Sequence, residues 1–302
     1  MSDTLHRFLF KDAPVKGELV HLPKTWRDVR AYRRYPAAVE KIMGELVAAS
    51  ALLCANLKFD GSLVMQIHGD GPIILLVAEC RADLTVRATA KLRENAVITD
   101  DMTLAQLINT NGQGRFAITL DPNNRQEGQQ PYQGIVPLTG ESMADILMHY
   151  MTSSEQLDTV IQLSADDDNA AGFLLQRLPD HGGGMNTEFA STWDDIAHIG
   201  RTLGADELLK NDTDTLMHRL FWEQPRDTHT TEPVQFACTC SPTKVANMIT
   251  LLGEDEATDM LDDNLEVNVS CDFCGQHYML SAAQVHELFT PEANAHLNSK
   301  LH

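Results

Sequence analysis

The sequence is poor in the features that mark nucleic-acid-binding, secreted and membrane-spanning proteins. Its 302 residues carry 23 Lys and Arg against 43 Asp and Glu, a formal net charge of -20. Nucleic acids and anionic membranes are therefore unfavourable partners, because binding them requires cationic side chains. The longest uninterrupted aliphatic run covers only residues 73–78, and the first sixteen residues mix charged and apolar side chains. We expect a cytoplasmic protein without a leader or a membrane anchor.

Motifs of common catalytic sites are lacking too. The sequence has no Walker loop, no nucleophile elbow and no acid–base pair of recognisable spacing. Residues 112–117 match a dinucleotide fingerprint by letters, but they precede a predicted strand instead of following one. The triple aspartate at residues 166–168 is more typical of a solvated loop than of a cation site. We therefore expect a protein that is not an enzyme.

Cysteine is present six times, and four of the six form two short-spaced pairs near the end of the chain, Cys238-x-Cys240 and Cys271-x-x-Cys274. Without an export signal, such thiols are more typical of metal ligands than of a disulfide framework. Four thiolates suit the tetrahedral coordination of Zn²⁺, so all four cysteines are predicted to ligate one zinc ion per chain. His277 follows the second pair, but four cysteines already saturate the ion.

The spacing of the first cysteine pair is unusual for a zinc site with a purely structural role. Structural zinc knuckles normally have two or more residues between the cysteines of each pair, whereas one residue separates Cys238 from Cys240. This spacing suggests that the same sulfurs also bond to each other, which would make the site a redox switch. A structural zinc site without a further function is the alternative. Cys54 lies among aliphatic residues and is expected to be a small buried hydrophobe, and the same is expected of Cys80. Whether these two cysteines form further disulfides is left open by the sequence.

Periodicity along the chain predicts the α+β class, with an antiparallel sheet. The predicted helices and strands come in mixed order: an amphipathic helix over 36–57, a meander of strands over 62–68, 73–80 and 84–90, helices over 103–109 and 142–151, and strands over 115–120, 134–138, 160–164 and 172–178. Pro179 and the triple glycine at 182–184 then interrupt the pattern. We expect an N-terminal core domain over 1–180, a metastable helical linker over 181–237 and a small zinc-binding domain over 238–302.

Capping signals place the four cysteines on turns between short elements. Ser241 with Pro242 is predicted to begin a helix that ends at Gly253, so Cys240 should lie at a helix N-terminus, which favours thiolate. Gly275 suits the turn of the second cysteine pair, and residues 281–284 form a capping box that opens a last helix.

The chain resembles the redox-regulated 33-kDa heat-shock chaperone family. The resemblance runs from end to end and includes residues 5–7, 17–20, 57–61, 69–72, 132–134, 154–157 and 170–176. Its most specific parts are Phe-Ala-Cys-Thr-Cys-Ser at 236–241 and Cys-Asp-Phe-Cys-Gly-Gln-His-Tyr at 271–278. It implies an N-terminal α/β domain, a linker and a zinc domain.

The resemblance also implies an activity. In the family, the reduced, zinc-bound form is inactive; oxidants with unfolding conditions release the metal, unfold the linker and produce a homodimer that holds unfolding client proteins without ATP. Clients then pass to an ATP-driven foldase. On this basis Cys238 pairs with Cys240, and Cys271 with Cys274, in redox-active disulfides. Positions 181–302 carry 6 basic and 20 acidic residues. The excess of negative charge in this part of the chain is self-repelling, which should favour opening.

Two surfaces are candidates for holding clients after activation. One is the apolar surface of the first domain; the other is the exposed linker, with Phe189, Trp193, Leu216, Leu220, Phe221 and Trp222.

The rival functions are a zinc-ribbon interaction module without redox control and a thiol oxidoreductase using Cys271 and Cys274. The second cysteine pair lies outside any thioredoxin-like βαβ pattern, which disfavours the oxidoreductase.

Overall fold

A computed structural model describes residues 3–57, 60–124, 130–179, 187–262 and 265–290. The chain divides into two compact units, with the boundary between Ala237 and Cys238. Each unit is described separately below. Within the described ranges, no helix combines the length and the apolar character that crossing a membrane requires.

The described residues of the first unit form two sheets with eleven strands in all, and every strand pairing is antiparallel except that of β11 with β5. The strands, in chain order, are β1 (Thr4–Phe10), β2 (Val15–His21), β3 (Gly61–His68), β4 (Ile73–Arg81), β5 (Thr85–Leu92), β6 (Arg115–Pro122), β7 (Tyr132–Val136), β8 (Thr159–Ala165), β9 (Ala170–Arg177), β10 (Arg226–Pro233) and β11 (Gln235–Phe236). One sheet has the order β10-β1-β2-β9-β8 and the other β11-β5-β4-β3-β6-β7. The predicted meander is confirmed, since β3 pairs with β4 and β4 with β5 in antiparallel register.

Seven helices of the described residues accompany these sheets. They are α1 (Pro23–Arg30), α2 (Ala37–Cys54), α3 (Leu104–Ile108), α4 (Met143–Ser153), α5 (Thr187–Arg201), α6 (Ala205–Lys210) and α7 (Thr213–Phe221). The predicted helices over 103–109 and 142–151 are present as α3 and α4, and each begins with a capping box, at Thr103 and Ser142. The mixture of helices and antiparallel sheets confirms the predicted α+β class.

Helix α2 lies between the two sheets and is buried on nearly all sides. Its core cluster joins Leu5 and Val20 of one sheet to Leu63 and Met65 of the other. The prediction of an amphipathic helix with one buried face was therefore wrong, because both faces meet a sheet. Its small residues allow this close approach; a Cβ at Gly44 would lie 2.4 Å from that of Ala165.

Helices α5, α6 and α7 cover the opposite face of the five-stranded sheet. Side chains alternate between the faces of a strand, so Leu174 packs toward α2 while its neighbours Phe173 and Leu175 pack toward these helices. Two hydrogen bonds tie the helices to the end of β2 and to the turn between β8 and β9, from His21 Nε2 to Leu208 O (2.8 Å) and from Asn169 Nδ2 to Leu209 O (3.3 Å). The segment predicted as a helical linker thus docks on the first unit.

The end of that segment forms strands that the sequence did not reveal. β10 pairs with β1, with Leu9 opposite Asp227, and completes one edge of the five-stranded sheet. β11 pairs in parallel with β5, where Phe236 lies opposite Val86. Residues 226–236 therefore belong to both sheets of the first unit.

The second unit is small. It contains the helices α8 (Pro242–Leu252), α9 (Glu254–Asp259) and α10 (Ala282–Glu287) and the hairpin of β12 (Glu266–Ser270) and β13 (His277–Ser281). Among the described residues of this unit, the core has five buried side chains, from Val245, Ile249, Ala257, Val267 and Val285, and six partly buried apolar side chains pack against them. So few buried residues give a unit of this size little stability by themselves.

Candidate metal centre

Two turns of the second unit bring the cysteine pairs together. Cys238 and Cys240 lie immediately before α8, and Cys271 and Cys274 lie in the turn between β12 and β13. Two hydrogen bonds close this turn, from Cys271 N to Gln276 O (3.0 Å) and from Gly275 N to Cys271 O (2.8 Å). Gly275 has a φ of 72°, a left-handed conformation that glycine adopts readily. The predicted turn is confirmed.

The beginning of α8 is capped as the sequence predicts. Ser241 accepts a hydrogen bond on its side chain from Lys244 N at 3.2 Å, and Pro242 opens the helix. Cys240 therefore lies at the N-terminal end of α8, as predicted. Gly253 ends the helix with a φ of 96°, and the capping box of Ser281 and Gln284 opens α10.

The four sulfurs form a cluster of the size that a tetrahedral metal site requires. All four Sγ atoms lie within 4.8 Å of one another, and the residues are free thiols. Sγ of Cys238 lies 3.6 Å from that of Cys271, and Sγ of Cys240 lies 3.5 Å from that of Cys274. A zinc–sulfur bond of about 2.3 Å places tetrahedral sulfurs about 3.8 Å apart. The donor set and its spacing therefore fit a thiolate-bound metal ion.

The close approach of the sulfurs accompanies opposite pKa shifts at Cys238 and Cys274. Burial raises the pKa of Cys238, but hydrogen bonds from the Cys240 backbone and from the other three thiols outweigh it, and the pKa falls to about 7. Burial raises the pKa of Cys274, and contact with the other sulfurs raises it further, to about 12. Negative charge in the cluster is therefore stabilised first on Cys238.

A tyrosine that sequence reasoning did not single out contacts the cluster. The hydroxyl of Tyr278 on β13 donates a hydrogen bond to Cys240 Sγ at 3.0 Å. Such contacts orient a ligand and reduce its tendency to react. Its place in the motif after Cys274 was the available signal, but only the hairpin shows that the hydroxyl reaches the other cysteine pair. The neighbouring His277 lies beside Ser270 instead, with 2.8 Å between Nδ1 and the hydroxyl.

The triple aspartate lies in an exposed loop between β8 and β9, as predicted, and two of its carboxylates also make structural contacts. Asp166 accepts backbone hydrogen bonds from Asp168 and Asn169 (2.8 Å each) in the turn between β8 and β9. Asp167 pairs with the buried guanidinium of Arg30 at 2.7 Å. Two of the carboxylates thus stabilise a turn and an ion pair.

The fold and the cysteine cluster together define an α+β protein with a small C-terminal module built around four thiols. A family profile described as "Hsp33 protein" matches residues 3–281. A "33 kDa chaperonin" of Chromobacterium violaceum is 45% identical over 287 residues, which cover 95% of this chain and 94% of the relative. The protein of the same name from Methylobacillus flagellatus is 41% identical, with 97% and 96% of the two chains covered.

A solved structure agrees with the fold. The crystal structure of the 33 kDa chaperonin (heat shock protein 33 homolog) from Thermotoga maritima superimposes with a TM-score of 0.76, covering 95% of this chain and 97% of that one, at 22% identity. The chain belongs to the Hsp33 family.

Proposed function

We propose that this protein is a redox-regulated, ATP-independent chaperone that is inactive while its four C-terminal cysteines are reduced and bind zinc. Membership of a family whose relatives are named chaperonins supports the chaperone activity. The cluster of four free thiols in the second unit is the observation that supports redox control. We propose no catalytic turnover of a substrate.

The four thiolates would keep the second unit folded in the resting state. Zinc bound there would cross-link the start of α8 to the β12–β13 turn and neutralise part of the thiolate charge. Binding energies of about 10 to 16 kcal/mol are typical of small zinc-binding peptides, and this energy would add to that of the small core of the second unit. The fold of this unit therefore depends on its ligand set.

Oxidation removes these ligands. A thiolate attacks a peroxide oxygen and becomes a sulfenic acid, and a second cysteine displaces water from it to form a disulfide. Each disulfide costs the protein two electrons, which reduce one peroxide. We propose the pairs Cys238–Cys240 and Cys271–Cys274, because these partners are nearest in the chain once the unit opens. In the folded cluster, sulfurs of different pairs are also close, at 3.5 and 3.6 Å.

Unfolding of the second unit would extend into the linker through the chain itself. The amide of Ala237 donates a hydrogen bond to Val86 O at 3.1 Å, one residue before Cys238. Disorder that begins at Cys238 therefore adjoins the short strand β11 and, before it, β10. Loss of these edge strands would weaken the attachment of helices α5–α7 to the sheet.

Release of these helices would expose apolar surface on the helices themselves and on the five-stranded sheet. Phe221 is fully buried, with its ring stacked 6.3 Å from that of Phe173 and edge-on at 5.1 Å to that of Phe10. Trp193 and Leu216 are buried against the same sheet. Trp222, in contrast, is already 67% exposed, so its predicted burial in the resting state was wrong. The side chain of Phe189 lies outside the described residues.

The activated protein would act as a homodimer on unfolding client proteins in the cytoplasm and transfer them to an ATP-driven foldase. The apolar surface exposed by release of helices α5–α7 would bind unfolded chains through the hydrophobic effect. The strongly acidic composition keeps nucleic acids and anionic membranes as disfavoured partners.

One experiment tests the proposal. The zinc-loaded protein is treated with hydrogen peroxide at moderate heat, and released zinc and the light scattering of an aggregating client are followed together. We expect zinc release to precede the suppression of scattering, and dithiothreitol with zinc to reverse both. Samples given peroxide alone, or heat alone, serve as controls.

Other outcomes would favour the rival functions. A zinc-ribbon interaction module would release zinc without any change in client scattering. A thiol oxidoreductase would turn over a dithiol substrate. Suppression of scattering while all four thiols remain reduced would exclude redox control.

A further inference from the structure

The first unit contains a second pair of cysteines, far from the C-terminal cluster in sequence. Cys54 is the last residue of α2 and Cys80 lies on β4. The thiol of Cys54 donates a hydrogen bond to the carbonyl oxygen of Cys80 at 3.3 Å. The thiol of Cys80 donates a hydrogen bond to the carbonyl oxygen of Arg81 at 3.6 Å. The two residues are therefore neighbours across a helix–sheet interface.

This interface is closed to solvent. Cys54 is 2% exposed and Cys80 is fully buried. Cys80 lies in the interior of the six-stranded sheet, opposite Leu63 on β3 and Val86 on β5, both of which are buried. Within the described ranges, the only cluster of three or more potential metal ligands is the C-terminal one. The core pair therefore has two thiols and no further ligands, which suits a disulfide better than a metal.

We propose that Cys54 and Cys80 form a second dithiol–disulfide couple that is protected in the folded first unit and is oxidised when the α2–β4 interface opens. The protection has two causes. A hydroperoxide cannot reach side chains with so little exposed surface, and burial, followed by the neighbouring Cys54 thiol, raises the pKa of Cys80 well above its ordinary value, so that little thiolate is present. Opening of the interface removes both protections at once.

The chemistry needs a hydroperoxide as the oxidant. One cysteine loses its proton, and its thiolate attacks the peroxide; the O–O bond breaks, a sulfenic acid forms and an alcohol or water leaves. The second thiolate then attacks the sulfenic sulfur, the S–O bond breaks, and hydroxide leaves as water after protonation. In sum, two thiols and one hydroperoxide give one disulfide, one alcohol or water, and one water. The resulting bond would fix the end of α2 to β4.

This couple differs from the C-terminal cluster in its trigger. The C-terminal cysteines are partly exposed in the folded protein, whereas the core pair is not. The core disulfide would therefore report oxidation that coincides with opening of the first unit. The inference does not depend on zinc binding or on the proposed chaperone activity.

Peptide mapping of the full-length, zinc-loaded protein tests the inference. Samples are treated with hydrogen peroxide at 25 °C or at a temperature near the unfolding transition of the first unit, then alkylated, digested without reductant and analysed by mass spectrometry. We expect a peptide pair linked through Cys54 and Cys80 in the heated sample, formed at least tenfold more slowly at 25 °C. Zinc content is measured in the same samples, so failure at one site can be distinguished from failure at the other.

Two variants identify the partners. A Cys80→Ala variant should lose the linked peptide and leave Cys54 alkylated or over-oxidised. A variant with serine at all four C-terminal cysteine positions should still form it. The proposal is overturned if wild-type protein yields no linked peptide on heating, if Cys54 or Cys80 links to a C-terminal cysteine instead, or if the link forms equally fast at 25 °C.

Discussion

Replacement of Phe221 by alanine should activate the protein without an oxidant. The ring is fully buried between Phe10 and Phe173, at the point where α7 meets the five-stranded sheet. Truncation of a fully buried phenylalanine costs about 3 to 5 kcal/mol. Because this packing exists only while α7 is docked, the loss shifts the docking equilibrium by roughly 140-fold to 4,000-fold toward the released state.

The assay compares reduced, zinc-loaded proteins. Phe221→Ala should suppress the light scattering of a heat-aggregating client in the absence of peroxide while it keeps its zinc. Limited proteolysis should show faster cleavage within residues 187–223. Trp222→Ala is the matched control: its side chain is adjacent but 67% exposed, so its removal should change stability by no more than about 0.5 kcal/mol.

Two results would refute this reasoning. One is a Phe221→Ala protein whose linker is cleaved rapidly but which holds no client, since release of the helices would then be insufficient for activity. The other is equal activation by Trp222→Ala. A second truncation at the fully buried Leu216 checks that the effect belongs to the docked surface and not to one ring.

Three further predictions concern the metal centre and the first unit. Cys271→Ser should abolish the thermal transition of the second unit in calorimetry and leave that of the first; a retained second transition would contradict a ligand-dependent fold. Tyr278→Phe, which removes the hydrogen bond to Cys240, should weaken zinc retention about 10- to 100-fold in a chelator competition, whereas Met279→Ala, 60% exposed on the same strand, should not. Burial raises the pKa of Glu18 from 4.5 to about 7, so its folded carboxyl keeps a proton that the unfolded chain has released. The free energy of unfolding should therefore fall as the pH rises from about 4.5 to 7. In urea unfolding, Glu18→Gln should recover up to about 3 kcal/mol at pH 8 and nothing at pH 4. If wild type and variant lose the same free energy of unfolding between pH 4 and pH 8, Glu18 is not the cause.

Local signals were sufficient to predict the cluster of four cysteines. Short-spaced cysteine pairs, the Ser241–Pro242 cap and Gly275 each determine conformation over a few residues, and these turns formed as predicted. The proximity of the two cysteine pairs was predicted from coordination chemistry, because one tetrahedral zinc ion requires four ligands and each pair supplies two. The contact of Tyr278 with Cys240 was not predictable, since it depends on how the β12–β13 hairpin returns toward α8.

Helix α2 illustrates what local periodicity misses. Its apolar residues were predicted to form one buried face, yet 15 of its 18 residues are buried because two sheets enclose the helix. A single sequence does not state how many partners a helix has. The same limit applies to Cys54, whose burial was expected but whose neighbour Cys80 was not.

The amino-acid sequence by itself determined the four-thiol motif, the turns that carry it, the central meander and the acidic charge, because each depends on neighbours a few residues apart or on composition alone. Only the tertiary structure decided that residues 226–236 complete both sheets, that α5–α7 dock on the five-stranded sheet, and that Cys54 meets Cys80. These contacts join residues separated by 26 to more than 200 positions. Such long-range pairings depend on how the whole unit packs, and a short stretch of sequence does not determine that packing.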